Sequence, residues 1–386
     1  MPRTSDVIAR RRRGARPTLQ PVLLAGAFGQ GNPGDEALLE AFARSIGDRP
    51  VTAVSSAPAD TAADFGVGAV ARDDLVAVGR AVARADAVVL AGGTLFKTLH
   101  PSSGRRPLAL LRRAATLTAA ARAARKPVAL VGVGAAALEG RAARSLARSV
   151  VHSADLLVLR DEESAELLAG IGAPAPLRVG ADPAWTLLPE PPPRRRGAGV
   201  AVALSHLAGG RELAGRLGAA LRRVCDAGVP VRLLPWQDGA GGADRALATA
   251  VAAHAGAEVV DPPRDLAAAR RMLAGHATVL GLRFHALMAA ASAGVPFVGY
   301  AHEPKLAGLA RRLRQPTVRP DAAPAELATA VLGSLHAAAA APVAVAAERG
   351  RAEEAFRLLR VLLSRGRTDE AATLDGLPLR PQGWVS

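Results

Sequence analysis

Short apolar runs recur along this chain, separated by helix-length amphipathic stretches. Residues 22–26, 51–55, 87–92, 128–132 and 156–160 are dominated by Val, Leu and Ala without strict alternation. Such runs predict strands buried on both faces. A second series at residues 200–205, 231–235, 257–261, 278–282 and 296–300 repeats the pattern. Strand and helix taking turns in this way specify a parallel sheet covered by helices on both sides. Between the two series, residues 189–197 are rich in Pro and Arg and read as a semi-rigid linker.

The expected fold class is therefore α/β, with two Rossmann-like domains joined by one hinge and a cleft between them. A basic arm without apolar periodicity occupies residues 1–19 and is expected to be disordered. The first domain covers 20–188, the linker 189–197 and the second domain 198–338. An Ala-rich helical C-terminal segment and a tail fill 339–386.

Composition narrows the functional classes. Half of the 386 residues are apolar, enough for a core in each domain. No uninterrupted apolar run reaches the length of about 18 residues that suggests a membrane span. The apolar piece after Arg10–Arg13 is too short for a signal peptide and leads straight into a glycine-rich turn. A single cysteine, Cys225, excludes an intrachain disulfide framework and any multi-Cys metal site, so a cytoplasmic location is the expectation. The net charge of +15 is carried almost wholly by Arg, with Lys only at 97, 126 and 305. With 3% aromatic residues there is little with which to stack bases, so no nucleic-acid partner is expected. The basic arm could instead rest on the anionic inner membrane leaflet.

Candidate chemistry gathers at strand ends. Arg283 and His285 fall between a buried strand and a helix, at the edge where open α/β sheets bind ligands. A guanidinium beside helix N-terminal amides suits a phosphate or carboxylate, and an imidazole there can move a proton. In the turn at residues 26–37, Gly29, Gly31 and Gly34 fit the dinucleotide spacing. Asp35 and Glu36 would repel a pyrophosphate, however, and no acid at Ser55 or Ser56 is available for a ribose hydroxyl. Two readings remain. In one, Asn32 starts the turn, Gly34 takes an unusual backbone angle and the acids stabilise the helix dipole. In the other, Asn32, Asp35 and Glu36 face the cleft, bind sugar hydroxyls and supply a general base.

The ordered landmarks resemble the polysaccharide pyruvyl transferases, including the bacterial cell-wall pyruvylating enzymes. They are the turn from Gly26 to Ala37, then Ala91-Gly92-Gly93-Thr94, Arg160-Asp161-Glu162-Glu163-Ser164, Asp182-Pro183, Arg283-Phe284-His285 and Glu303-Pro304-Lys305. Departures fall on the acceptor side: Ala91 replaces a glycine, and Lys97-Thr98 stand where the family often has Gln-Asp. The resemblance implies a fold like that of two-domain, GT-B type glycosyltransferases. It also implies transfer of the pyruvyl group of phosphoenolpyruvate to two hydroxyls of one sugar of a cell-surface polysaccharide or its precursor, giving a ketal.

On that basis His285, Arg283, Asp35 and Glu36 are the catalytic candidates. Arg160, Arg283, Lys305, Asn32, Gly31, Gly93, Thr94 and Asp182 are the substrate-binding ones. His285 is either the acid for the methylene carbon or a phosphate ligand. No cofactor and no metal are expected, since no spacing makes a metal site. Arg160 could simply pair with Asp161, and Asp182 could be a turn cap. His100, His206 and His302 are further cleft candidates. A glycosyltransferase using a nucleotide sugar is the alternative function, with Glu303 as its one candidate carboxylate. A silent sugar-binding member is a third reading.

Overall fold

The computed structural model describes residues 20–99, 104–173, 177–192, 197–209, 212–237 and 242–364. The basic arm, His100, part of the linker and the tail beyond 364 lie outside them. In the first domain the strands are β1 (Val22–Phe28), β2 (Val51–Ser55), β3 (Gly68–Ala71), β4 (Ala87–Ala91), β5 (Thr94–Phe96), β6 (Val128–Ala135), β7 (Leu156–Leu159) and β8 (Arg178–Val179). They order as β3-β2-β1-β4-β6-β7-β8, with β5 paired to β6. The second domain holds β9 (Val200–Ala203), β10 (Val231–Leu234), β11 (Glu258–Val259), β12 (Thr278–Gly281), β13 (Phe297–Tyr300) and β14 (Thr317–Val318), ordered β11-β10-β9-β12-β13-β14. The pairings are parallel throughout. Each sheet runs 3-2-1-4 and onward, the doubly wound order of a Rossmann-like domain.

All ten apolar runs form strands. The four strands without such a run, β3, β5, β8 and β14, are two to four residues long, too short to leave a periodic signal.

Helices α1 (Pro33–Ser45) and α2 (Pro58–Phe65) follow β1 and β2. Helices α3 (Leu75–Arg84), α4 (Ala109–Ala123), α5 (Gly140–His152) and α6 (Glu162–Ala169) cover the outer face of the first sheet, around a core that includes Leu90, Leu111, Leu130 and Val150. In the second domain, α7 (Glu212–Asp226) and α8 (Ala243–Ala255) cover one face. Helices α9 (Leu266–Ala274), α10 (Phe284–Ser292) and α11 (Pro304–Arg312) turn toward the first domain, and α12 (Pro324–Ser334) returns to the second sheet.

The expectation of one hinge is corrected. The Ala-rich C-terminal region is two helices, and α13 (Pro342–Ser364) crosses back to the first domain. Its apolar side carries Val345, Ala352, Phe356 and Leu359, and Phe356 meets Phe42 of α1 edge-to-face at 4.9 Å. A single apolar cluster runs from α1 and Trp185 through α9, α10 and α11 to α13. Two chain crossings and a shared core therefore couple the domains, because the helices between the sheets have no other surface on which to bury their apolar sides.

Candidate active site

Both topological switch points, β1/β4 and β9/β12, open toward the space between the domains. Asn32 caps α1: its Oδ1 accepts from the Gly34 amide at 3.1 Å, and its Nδ2 donates to Asp35 Oδ2 at 2.7 Å. The Asp35 carboxyl is thus held at the first turn of α1, near Gly93, which takes a left-handed φ of 71° after β4. Burial pushes Asp35 above the usual carboxylate range, outweighing His285, Lys305 and Arg283, which pull it down. Glu36 turns the other way. Its Oε1 accepts from the amides of Gly29 at 2.8 Å and Gln30 at 3.1 Å, clamping the glycine turn, and burial pushes it up to about 7. Gly31, with φ of 66°, lies exposed at the rim.

Gly34 is in ordinary helical conformation, which corrects the expectation of an unusual backbone angle; Gly29 and Gly31 supply the positive φ values of this turn. Its missing side chain has a different use. A Cβ there would stand 2.7 Å from Cε1 of His285 and closer still to Nδ1 and Cγ. The imidazole arrives from the second domain, at the start of α10, and rests on the bare backbone of α1.

On its other side, Nε2 of His285 faces Asp182 Oδ1 at 3.5 Å, an ion-pair distance with no aligned hydrogen bond. Asp182 caps the short 3-10 turn Pro183–Leu187 by accepting from the Ala184 amide at 3.0 Å, so the capping role is real. Its Oδ2 is buried without a hydrogen-bond partner and lies 4.0 Å from Nη1 of Arg160. Burial alone would raise the Asp182 carboxyl; His285 and Arg160 outweigh it and hold the carboxyl below the usual range.

Arg160 follows β7 directly and is 2% exposed. Its Nε donates to Asp161 Oδ2 at 2.8 Å, its Nη2 reaches Thr94 Oγ1 at 3.5 Å, and the guanidinium lies 4.7 Å from the centre of the Phe284 ring. The pairing with Asp161 and the cleft position are therefore both present. Gly132 and Gly134 of β6 make the space: side chains there would collide with the Pro183 ring and the Arg160 guanidinium.

From the second domain, Lys305 donates to Thr94 Oγ1 at 3.3 Å and pairs with Glu303 Oε2 at 2.5 Å. Glu303 Oε1 faces Lys97 at 3.7 Å, and the two lysines outweigh burial to keep its carboxyl far below its ordinary range. Arg283 donates through Nε to the Leu204 carbonyl at 3.2 Å and through Nη2 to Asp244 Oδ2 at 2.5 Å. His206 is held by the same carboxylate, with Nδ1 2.6 Å from Asp244 Oδ1. His302 bonds the Tyr300 carbonyl, and burial lowers its proton affinity.

The structure thus gathers Asn32, Asp35, Gly93, Thr94, Arg160, Asp182, His285 and Lys305, with Arg283 beside them. It gives Glu36 to the turn. Two residues lie outside the expected set: Asp244, which fixes Arg283, and Gln237, whose Nε2 bonds the Gln30 carbonyl across the cleft at 3.0 Å. An acid opening the helix after the second strand of its domain is the available signal for Asp244. Among the described residues no three His, Cys, Asp or Glu side chains converge to hold a metal ion.

The sequence matches the polysaccharide pyruvyl transferase family model over residues 32–304, about seven-tenths of the chain. The chain belongs to this family. It is a transferase. No curated protein sequence matches it. Solved structures that share its fold include Staphylococcus aureus MnaA with UDP (TM-score 0.62, 11% identity, 91% of this chain and 98% of that one). Another is the UDP-GlcNAc 2-epimerase of Methanocaldococcus jannaschii with UDP-GlcNAc and UDP (0.59, 10%, 89% and 99%). A third is Anabaena Alr3699/HepE with UDP-glucose (0.58, 14%, 89% and 98%). At these identities the likeness is one of fold: two Rossmann-like domains of GT-B type. No helix of the described residues is long and apolar enough to cross a membrane.

Proposed function

We propose that this chain transfers the pyruvyl group of phosphoenolpyruvate to two hydroxyls of one sugar in a cell-surface polysaccharide or its precursor, forming a cyclic ketal and releasing phosphate. The observation that carries the reading is the meeting of Lys305, Arg283 and His285 of the second domain around Asp35 of the first, with Arg160 standing next to His285's partner Asp182. The cations suit a donor that bears a phosphate and a carboxylate. A carboxyl whose proton affinity is raised by burial is a stronger base than an ordinary one, and Asn32 keeps it aimed.

In the proposed sequence, His285, with Asp182 as counter-charge, protonates the methylene carbon. Positive character then builds at the neighbouring carbon, where the first hydroxyl attacks as Asp35 takes its proton. The bond from that carbon to the phosphate oxygen breaks, and the second hydroxyl closes the ketal. Of the two hydroxyl protons, one balances the new methyl group and the other leaves with phosphate. Lys305 neutralises the departing charge. Arg160 is too enclosed to grip the donor openly and acts as fixed positive charge at the wall.

Glu303 bears on the nucleotide-sugar alternative. Both of its oxygens are turned to lysines, which leaves it poorly placed for a ribose or sugar hydroxyl. The test is thermal stabilisation by phosphoenolpyruvate against a panel of nucleotide sugars, repeated with Arg283→Ala. Stabilisation by phosphoenolpyruvate that the variant loses is the expected result. Stabilisation by a nucleotide sugar instead would overturn the donor assignment.

A further inference from the structure

The positive charge of this protein is not spread evenly. Residues 72–152 hold fourteen Lys and Arg against four Asp and Glu, an excess of ten in a chain of net +15. Residues 1–19 hold the other five, so the remainder of the sequence is neutral. The segment 72–152 builds α3, α4 and α5, neighbouring helices on the outer face of the first sheet.

Arg80, Arg84, Arg112, Arg141, Arg144 and Arg148 on these helices are all exposed. Among the described residues none of the six has a carboxylate partner; the nearby acids Asp73, Asp86 and Asp155 are paired with Arg113, Arg49 and Arg122. Arg141, Arg144 and Arg148 line a groove of about 420 Å³ closed by Gly170 and Ile171, large enough for a phosphate-bearing headgroup. Burial and the crowding of neighbouring guanidiniums pull Arg105 and Arg113 below their ordinary range, a cost that an arriving anion relieves.

Apolar side chains are exposed in the same helical layer. Leu75 and Val76, at the first turn of α3, are 76% and 62% exposed and are two of the four exposed large hydrophobics among the described residues. In a doubly wound sheet, helices that follow strands begin at the C-terminal edge of the sheet. The first turns of α3, α4 and α5 therefore lie along the edge that also carries Asp35, Gly93 and Arg160.

We propose that the α3–α4–α5 layer docks on an anionic phospholipid bilayer, with the arginines on headgroup phosphates and Leu75 and Val76 inserted at the rim of the cleft. Exposed aliphatic side chains in one layer with arginines that lack carboxylate partners favour lipid over a soluble polyanion, which would gain nothing from them. The surface presents the cleft to a membrane-bound substrate whichever donor the enzyme uses, so this inference stands apart from the pyruvyl reading.

The test is sedimentation of the full chain with vesicles of phosphatidylcholine, with and without phosphatidylglycerol. Binding is expected only with the anionic lipid. Each basic residue near such a surface contributes about 1 kcal/mol, so Arg141→Gln/Arg144→Gln/Arg148→Gln weakens partitioning about a hundredfold. Leu75→Ser/Val76→Ser weakens it further while leaving the salt dependence of the wild type. A chain lacking residues 1–18 keeps most of the binding. The proposal is overturned if the triple variant binds like the wild type, or if loss of residues 1–18 alone abolishes binding. It is also overturned if the Leu75/Val76 variant is unaffected while the protein binds double-stranded DNA as well as it binds vesicles.

Discussion

Gly34→Ala sets two opposing effects against each other, and the structure decides the sign. Position 34 is the second residue of α1 and has helical backbone angles, so alanine is locally welcome there, by up to about 1 kcal/mol. The added methyl, however, would fall on the His285 ring, 2.7 Å from Cε1 and nearer to two other ring atoms. The ring has little room to retreat, since Asp182 stands 3.5 Å behind Nε2 and the residue is 8% exposed. Overpacking of this kind costs about 1–3 kcal/mol, so the variant is expected to lose about 1–2 kcal/mol net. A displacement of about 1 Å at a proton-transferring group lowers turnover about a hundredfold. The assay is a double-mutant cycle by urea denaturation, with Gly34→Ala, His285→Ala and the pair. In the His285→Ala background the clash is gone, so Gly34→Ala becomes neutral or stabilising, and the coupling is about 1–3 kcal/mol. A coupling near zero would refute the seat of His285 on α1.

Three further outcomes are expected. Glu36 keeps its proton to about pH 7 in the folded chain and to about 4.5 when unfolded, so its stabilising contribution is complete below the lower value and is lost as pH rises toward the upper. Relative to Glu36→Gln, the wild type therefore loses about 3 kcal/mol between those pH values, and a pH-independent difference in denaturation midpoints would count against it. Asp244→Ala strips the buried partner from Arg283 and His206 and costs about 3–5 kcal/mol by the same assay; a loss under about 1 kcal/mol would mean that solvent already satisfies both. Asp182→Asn lowers kcat about a hundredfold with little change in KM for the proposed donor, phosphoenolpyruvate, because Asp182 faces His285 and Arg160; an equal rise in KM with kcat intact would reassign it to binding.

Much of this site is legible in the sequence because strand tips announce themselves. Apolar runs ending in Arg160 and in Arg283-Phe284-His285 mark the C-terminal strand edges of the two sheets, the second of them at a switch point, and Asp35 and Lys305 stand at helix starts on the same edges. Residues whose work depends on distant contacts leave no such mark. Asp244 matters through Arg283, 39 positions away, and Gly134 through space for a guanidinium that arrives from the end of β7. At Gly34 the sequence suggests the backbone angles that glycine permits, whereas its value lies in the atoms it lacks. Glu36 is equivalent to Asp35 by sequence; only the helix geometry separates them, sending one carboxyl to the cleft and the other to the Gly29 and Gln30 amides.

Two of the contacts between the domains share one device. His285 of the second domain rests on Gly34 of the first, and Glu163 of the first rests on Gly308 of the second, where a Cβ would meet its carboxylate. Around Glu163, Arg311 at 2.5 Å and Arg312 at 3.4 Å close an ion-pair group that also takes in Glu162 and Glu348. A polar side chain laid on bare helix backbone fixes the approach of two domains more tightly than an exposed ion pair, which long side chains can follow through many geometries. His285, the proposed proton donor, and its facing carboxylate Asp182 belong to different domains, so the proposed site exists only at that approach. On the proposed function, the shared core and the second chain crossing through α13 matter for chemistry, because they hold the distance between His285 of one domain and Asp182 and Asp35 of the other.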